Sequence, residues 1–338
     1  MTAADLTVSG AAQRTWRARA ILVATLSLTA AAFVSALLVG STKIPPGEVL
    51  AHLFSNDGSI NDRIIDSLRL PRALSAFAVG ALLALAGCLM QVLLRNPLGD
   101  PYVLGLSGGA SSAVLGAMLL GIAPMLYAPA ALAGALLSTL IVFGLAGKAR
   151  AYGDDRLLLT GVVIAAGWAA LISFVLSVSP ASQLPGMLFW LMGDLSDADR
   201  PLLPWLALSA GIVFGLLRAR DLNLSVHGSL QAAALGVDTL RVRRELFFVA
   251  ALLTAAAVTT AGAIGFIGLI TPHLIRRLGG SDHRILLPAS ALLGGSLLLF
   301  ADLVARTLIS PMQLPVGVLT ALLGVPVFLF LLHNRRSA

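Results

Sequence analysis

The chain of 338 residues is short of charge, of cysteine and of recognisable catalytic groups, and each shortage excludes something. Acids and bases make up 12% of it, about half the share of a soluble domain, while 58% is hydrophobic, so a soluble globular protein is ruled out. The single cysteine, Cys88, lies in an apolar run, which excludes an internal disulfide and points to a buried thiol. The histidines at 52, 227, 273, 283 and 333 lack metal-ligand spacing. No G-x-x-x-x-G-K-[ST] occurs, since "GLAGKAR" has the Gly-Lys pair without the spacing or the hydroxyl, so any ATP must be used by another chain. H-E-x-x-H and paired carboxylates within an apolar run are also missing, which argues against an embedded hydrolase. The period-two alternation of a β-barrel is absent.

What remains is apolar sequence in lengths that cross a bilayer. Mean hydropathy is +0.92, and runs of about 20 residues, enough for a hydrocarbon core of ~30 Å, recur throughout. They predict an all-α integral membrane protein with about ten spans, at 20–40, 71–94, 102–120, 122–147, 157–178, 201–217, 246–262, 264–278, 285–305 and 314–333. The first follows Arg14, Arg17 and Arg19 and exceeds the ~7–15-residue core of a signal peptide, so it reads as an uncleaved span. The eighth is short, and Pro272 is expected to limit the helix before it. No linker interrupts the chain: a tail at 1–19 precedes one membrane domain at 20–334.

Charge placement gives an orientation. With a cytoplasmic N-terminus, only Lys43, Arg63, Arg69, Arg72, Arg200 and Arg306 of the 23 Lys and Arg face outward, and the other seventeen face the cytoplasm. Both termini are then cytoplasmic, and the net charge of +7 reports topology rather than nucleic-acid binding. The outer loops also carry acids, among them Glu48, Asp57, Asp62 and Asp66.

Four features could carry function. The polar stretch "SVHGSLQAAALGVDTLRVRRE", in a cytoplasmic loop at about 221–244, is patterned as a short helix with Leu230, Ala233, Ala234 and Val237 near one face and Gly236 as its C-terminal cap. It is either an interfacial bridge between spans or a knob that fits a partner's groove. Arg69, Arg72 and Arg306 at the outer end are either interfacial anchors or cations offered to acidic groups of an external partner. Small residues at Gly80, Gly87, Gly105, Gly109, Gly262, Gly265, Gly268, Gly294 and Gly295 allow close helix approach, whether for plain packing or for sliding. Finally, "ALAGCLMQVLLRNPLGDPYVLGLSGG" and "TTAGAIGFIGLITPHLIRRLGGSDHRILLP" form a loose internal repeat starting in opposite directions. The ionisable residues within spans, His273, Asp302 and Arg306, sit near span ends, which disfavours an ion-coupled carrier.

The stretches "LRLPRALSAFAVGALLALAGCLMQ", "RNPLGDPYVLGLSGGA", "FWLMGDLS", "AAALGV", "AGAIGFIGLITPHLIRRLGGSDHRILLP", "DLVAR" and "LPVGVLTALLGVPVFLFLL" run in order over about 67–332. In these the chain resembles the permease subunits of type II ABC importers for iron chelates, haem and vitamin B12. The resemblance implies a type II importer permease fold and a homodimer with the path at its interface. It also implies two cytoplasmic ATPase subunits that use ATP and Mg, and one periplasmic binding protein. By resemblance, Gln231, Ala232, Ala234, Leu235, Gly236 and Val237 form the coupling helix that receives the ATPase stroke, and Arg69, Arg72 and Arg306 pair with glutamates of the binding protein. Asn96 and Leu98 match positions near the cytoplasmic gate, with Ser173 and Ser177 as candidates for the path lining. An acidic residue common in relatives near Ser229 is missing here, and "LSVSPASQLPG" keeps too little of the pattern to carry gate roles. No cofactor, metal or nucleic acid is expected on this chain. The expected function is an inner-membrane importer permease for an iron-containing chelate or haem, with cobalamin as the alternative. An ion-coupled secondary transporter and an embedded enzyme are the weaker readings.

Overall fold

The computed structural model describes residues 3–40, 42, 44–52, 59–147, 154–309 and 312–333. Lys43, Asp57, Lys148, Arg150, Arg335 and Arg336, used above for orientation, lie outside the described residues. Within them the chain is helical with no strand. Helix α1 (Ala3–Leu38) includes the first span and is continuous through the region expected as a tail. Short helices α2 (Pro46–His52) and α3 (Ile60–Ile64) follow, then a π-turn at Ile65–Arg69 that runs into α4 (Leu70–Leu93). The wide turn fits the position of Pro71, which lacks an N–H and whose ring crowds the carbonyl four residues back.

Next come α5 (Leu106–Leu119), α6 (Tyr127–Gly147), α7 (Asp154–Val178), α8 (Leu184–Met192), α9 (Leu202–Leu217), α10 (Ala219–Ser225) and α11 (Ser229–Ala234). The chain ends with α12 (Thr239–Ala261), α13 (Ile267–Arg277), α14 (His283–Thr307) and α15 (Val316–His333). Each of the ten expected spans coincides with a helix. Among the described residues six helices are long and apolar enough to cross a membrane, with α9 and α10 as a seventh, bent by 65°. The apolar helices at 106–119 and 316–331 are shorter, and α13, at 11 residues, reaches only roughly 16 Å.

Pro272 does not stop α13; it sits inside it, and the expectation of a limit there is corrected. The carbonyl that Pro272 cannot serve is Gly268 O, and the Gln91 Nε2 amide of α4 donates to it at 3.4 Å and equally to Leu269 O. A partner 177 residues away in sequence thus supplies what the proline withholds.

Helix α4 is the axis. Of its apolar stretch 94% is buried, and it packs against α9, α12, α13 and α14. The contacts are backbone to backbone: a Cβ at Gly80 would overlap Gly294 O, and one at Gly87 would overlap Gly268 O and come within 2.6 Å of its Cα. With no hydrophobic force between helices in lipid, such close approach supplies the dispersion and Cα–H···O contacts that hold them. The two halves of the loose repeat therefore meet at Gly87 and Gly268. A second seam joins α5 to α6 at Gly109 and Gly134. Gly105 serves differently, taking φ +72° at the turn before α5, where its carbonyl accepts from Ser138 Oγ (2.9 Å). Helix α7 is the opposite of α4: 11% of its apolar stretch is buried, with Leu159, Val163 and Phe174 outward.

Candidate functional sites

One end of the bundle carries α11. Its termination follows from Gly236 at φ +85°, whose N–H bonds Ala233 O while the N–H of Val237 bonds Ala232 O, both at 3.0 Å. The face expected from the pattern is turned. Leu230 is 87% exposed and Ala233 and Ala234 are exposed, whereas Ala232 and Val237 are the buried pair. Gln231, Ala234, Leu235 and Gly236 face outward. The segments on either side of this helix are tied to the spans. Arg218, at the bend between α9 and α10, donates to Glu245 (2.8 Å) and Asp221 (3.1 Å), and Arg241 pairs with Glu245 at 2.9 Å. The Asn223 amide reaches across to α14, donating to Asp282 (2.9 Å) and accepting from the His283 N–H (3.0 Å). Burial opposes ionisation of Asp282, yet the Arg284 N–H, the Asn223 amide and the charges of Arg284 and His283 hold its carboxyl below the usual range. Of these ties, Arg218–Glu245 and Asn223–Asp282 carry no signal in the sequence.

Beside it is the turn after α4. Asn96, half-buried, accepts from the Leu98 N–H at 2.9 Å, so it braces the turn that exposes Leu98. Asp100, buried, caps the next turn by accepting from the Tyr102 N–H at 2.8 Å, and burial pushes its carboxyl up to about 6. Tyr102 in turn accepts from the Ile264 N–H at 2.8 Å, tying this turn to the one before α13.

The other end holds the three arginines, each mostly enclosed by the chain itself. Arg69, 4% exposed, is sealed over the end of α1, donating to Leu37 O, Leu38 O and Thr42 O, with Gly40 leaving room for its guanidinium. Arg72 grips Asp302 from Nε (3.0 Å) and Nη2 (2.8 Å), and Arg306 Nε lies 3.1 Å from the other oxygen of that carboxylate. Arg72 also donates to Gln313 at 2.8 Å. Asp302 is fully buried, and a charge here survives only because it is shared. The Asp302–Arg306 half was legible as an i,i+4 pair; the Arg72 half was not. Two guanidiniums on one carboxylate leave a surplus of positive charge, with Arg72 and Arg306 each about one-tenth exposed.

Ser173 and Ser177 both lie on the exposed side of α7, their hydroxyls turned back to Ala169 O and Phe174 O. Near them α8, which was not among the expected spans, is a helix of nine residues; Pro185 sits in its first turn, where the missing N–H costs nothing. No cluster of three metal-ligating side chains occurs among the described residues.

A helical membrane domain with glycine seams and a capped polar helix at one end, lacking a nucleotide loop of its own, is the build of an ABC importer permease. The chain belongs to the FecCD transport family, which it matches over residues 28–334. It is 37% identical over 330 residues to the vitamin B12 import system permease protein BtuC of Vibrio vulnificus, covering 96% of this chain and 97% of the relative. It is 42% identical over 280 residues to the hemin transport system permease protein HmuU of Yersinia pestis, covering 80% and 83% respectively. A solved inward-facing structure of a metal-chelate type ABC transporter superposes with a TM-score of 0.84 at 30% identity, over 94% of this chain and 99% of that one.

Proposed function

We propose that the chain forms half of a homodimeric permease in the cytoplasmic membrane, with both termini and α11 on the cytoplasmic side, and that it imports a large metal chelate. Two ATPase subunits bind ATP and Mg and push on α11, while a single periplasmic binding protein delivers cargo to the arginine end. The observation that carries the reading is α11 itself: an exposed helix closed at Gly236 and set between α10, which Asn223 ties to the start of α14, and α12, which Arg218 ties to the α9–α10 bend, in a chain that cannot bind nucleotide through a phosphate loop. In this assignment Ala232 and Val237 seat the helix, and Gln231, Ala234, Leu235 and Gly236 meet the ATPase.

The outward apolar face of α7 supports the dimer, because a helix so little covered by its own chain suits a second copy, with Ser173 and Ser177 facing the path between them. Asn96 and Leu98 are assigned to the cytoplasmic gate. Arg72 and Arg306 meet the binding protein's acidic groups through their residual exposure, and Arg69 holds the end of α1 behind them. The cargo read from the sequence is a ferric chelate or haem. Cobalamin is the second reading, supported by the likeness to vitamin B12 permeases such as BtuC.

Mild-detergent purification of the tagged chain, followed by reconstitution with its co-purifying ATPase and binding protein, tests both levels. ATP-dependent uptake of one of labelled ferric siderophore, haemin or cyanocobalamin identifies the cargo. A homomer that never retains an ATPase, and whose uptake follows an ion gradient, overturns the reading.

A further inference from the structure

The hairpin formed by α10 and α11 is seated unevenly. Toward α4 and α12 lies a cleft of about 240 Å³, lined by Val92, Leu93, Ser225, Ser229 and Leu246 among others. Side chains around a cleft give way when pushed, whereas close packing transmits a displacement. Toward the start of α14, one residue, Asn223, makes three hydrogen bonds. Its Oδ1 accepts from the His283 N–H at 3.0 Å and lies 2.6 Å from His283 Nδ1, while its Nδ2 donates to Asp282 Oδ1 at 2.9 Å. These partners fix the amide's orientation and place a proton on His283 Nδ1, because a backbone N–H only donates and a carboxylate only accepts. The seat is buried: His283 is 2% exposed, and its Nε2 has no hydrogen-bond partner among the described residues, so the ring depends on Asn223. Asn223 also reaches the other way. Its own carbonyl lies 3.0 Å from Nδ1 of His227, the residue before Gly228 at the head of α11. One residue thus links the head of α11 to the first turn of α14.

We propose that Asn223 is the positioning residue that carries movement of α11 into α14. The proposal rests on the reading that α11 receives the ATPase stroke. Helix α14 is continuous from His283 to Thr307 and meets α4 backbone to backbone where Gly294 faces Gly80, so it cannot shift without taking α4 along. Asp302 lies nineteen residues beyond His283, about 28 Å along the axis, and there it holds Arg72 and Arg306. A displacement of the hairpin held by Asn223 therefore reaches the arginine end as movement of α14. Capping alone does not account for the residue. Asp282 already caps α14 from within its own segment, accepting from the Arg284 N–H at 2.9 Å. Asn223 adds its acceptor from a different helix, which makes it a tie between elements. Coupling between two sites is reciprocal, so the same tie lets a protein docked at the arginine end act on the ATPase.

The test uses the whole complex in nanodiscs, the chain with its co-purified ATPase. It reads ATP hydrolysis with and without the binding protein, on complexes of equal ATPase content. In wild type the binding protein should stimulate hydrolysis. Asn223→Ala should bring the ratio of stimulated to basal hydrolysis down to about one, because cutting the tie removes the coupling free energy. Asn223→Asp should do the same, since a second carboxylate then faces Asp282. Adding Asp282→Asn to Asn223→Asp exchanges donor for acceptor: the carboxylate still accepts from both His283 N–H groups, and the new amide donates to it. This double variant should recover roughly half or more of the wild-type ratio. A purely structural role would lower the unfolding temperature of Asn223→Ala and leave the ratio of the surviving complexes at its wild-type value, and that result overturns the proposal. So does a double variant no better coupled than Asn223→Asp. If wild type retains no ATPase, the reading of α11 falls first and the proposal with it; if wild type is stimulated and Asn223→Ala equally so, the proposal alone falls.

Discussion

Replacing Asp302 with asparagine keeps the shape of the arginine end and removes the one negative charge inside it. Asp302 is fully buried and lies within about 3 Å of guanidinium nitrogens of both Arg72 and Arg306. At an effective dielectric constant of 20, one such contact corresponds to roughly 5 kcal/mol of Coulomb attraction before desolvation is counted. Much of this offsets the cost of burying the ions, but that cost stays behind when the carboxylate goes: two buried cations then face each other with Arg69 close by. Breaking a buried pair on one side typically costs about 3–5 kcal/mol. With an unfolding entropy of about 2.1 cal/mol/K per residue, a chain of 338 residues loses roughly 6 °C for a 4 kcal/mol change. A membrane protein keeps helices when it unfolds, so its entropy is smaller and the drop larger. The assay is thermal exposure of Cys88, which is buried and the only cysteine, with a thiol-reactive dye. The double variant Asp302→Asn, Arg72→Gln should recover part of the loss. If Asp302→Asn unfolds within a degree of wild type, the arginines are not held by this carboxylate and the account of that end fails.

Three other perturbations read different parts of the molecule. Gly87→Val puts side-chain atoms where Gly268 O already lies and should stop α4 and α13 from meeting; it should lower the unfolding temperature by more than Gly116→Val, whose surroundings are open, and equal effects would refute the seam. Gly236→Arg meets nothing within 4 Å but forces a side chain to φ +85°, costing about 1–2 kcal/mol. It should insert and dimerise normally yet uncouple transport from ATP hydrolysis, so normal uptake sinks the role given to α11. Asp100, pushed up to about 6 from 3.8, makes the folded state bind the extra proton between those values, so stability falls as pH rises through that window and is level above it. Asp100→Asn keeps an acceptor for Tyr102 and should flatten that slope by up to about 3 kcal/mol; an unchanged pH profile of unfolding refutes the assignment.

The spans were legible because apolar length alone separates lipid-crossing segments from the rest, and α11 because Gly236 marks its end. What escaped the sequence was everything that depends on a distant partner. Pro272 read as a stop since nothing near it shows that Gln91 would serve the orphaned Gly268 carbonyl. The grip of Arg72 on Asp302 escaped since the two lie 230 residues apart. Which side of α11 faces the bundle was not legible because so short a helix has too few residues for its periodicity to say, and here Ala232 and Val237 decide it. Helix α8 escaped because Pro185 at a helix start and a proline in a loop look alike in a string of letters.

The glycine seams of α4 also bear on how such a protein diversifies. Where Gly80 meets Gly294 and Gly87 meets Gly268 there is no side chain to trim and no space to add one, so these positions are closed to inheritance of anything larger. The outward face of α7 is under no such restraint within its own chain. If α7 faces the path, as proposed, a lineage built this way can rewrite the surface that meets its cargo while the packing around α4 stays as it was.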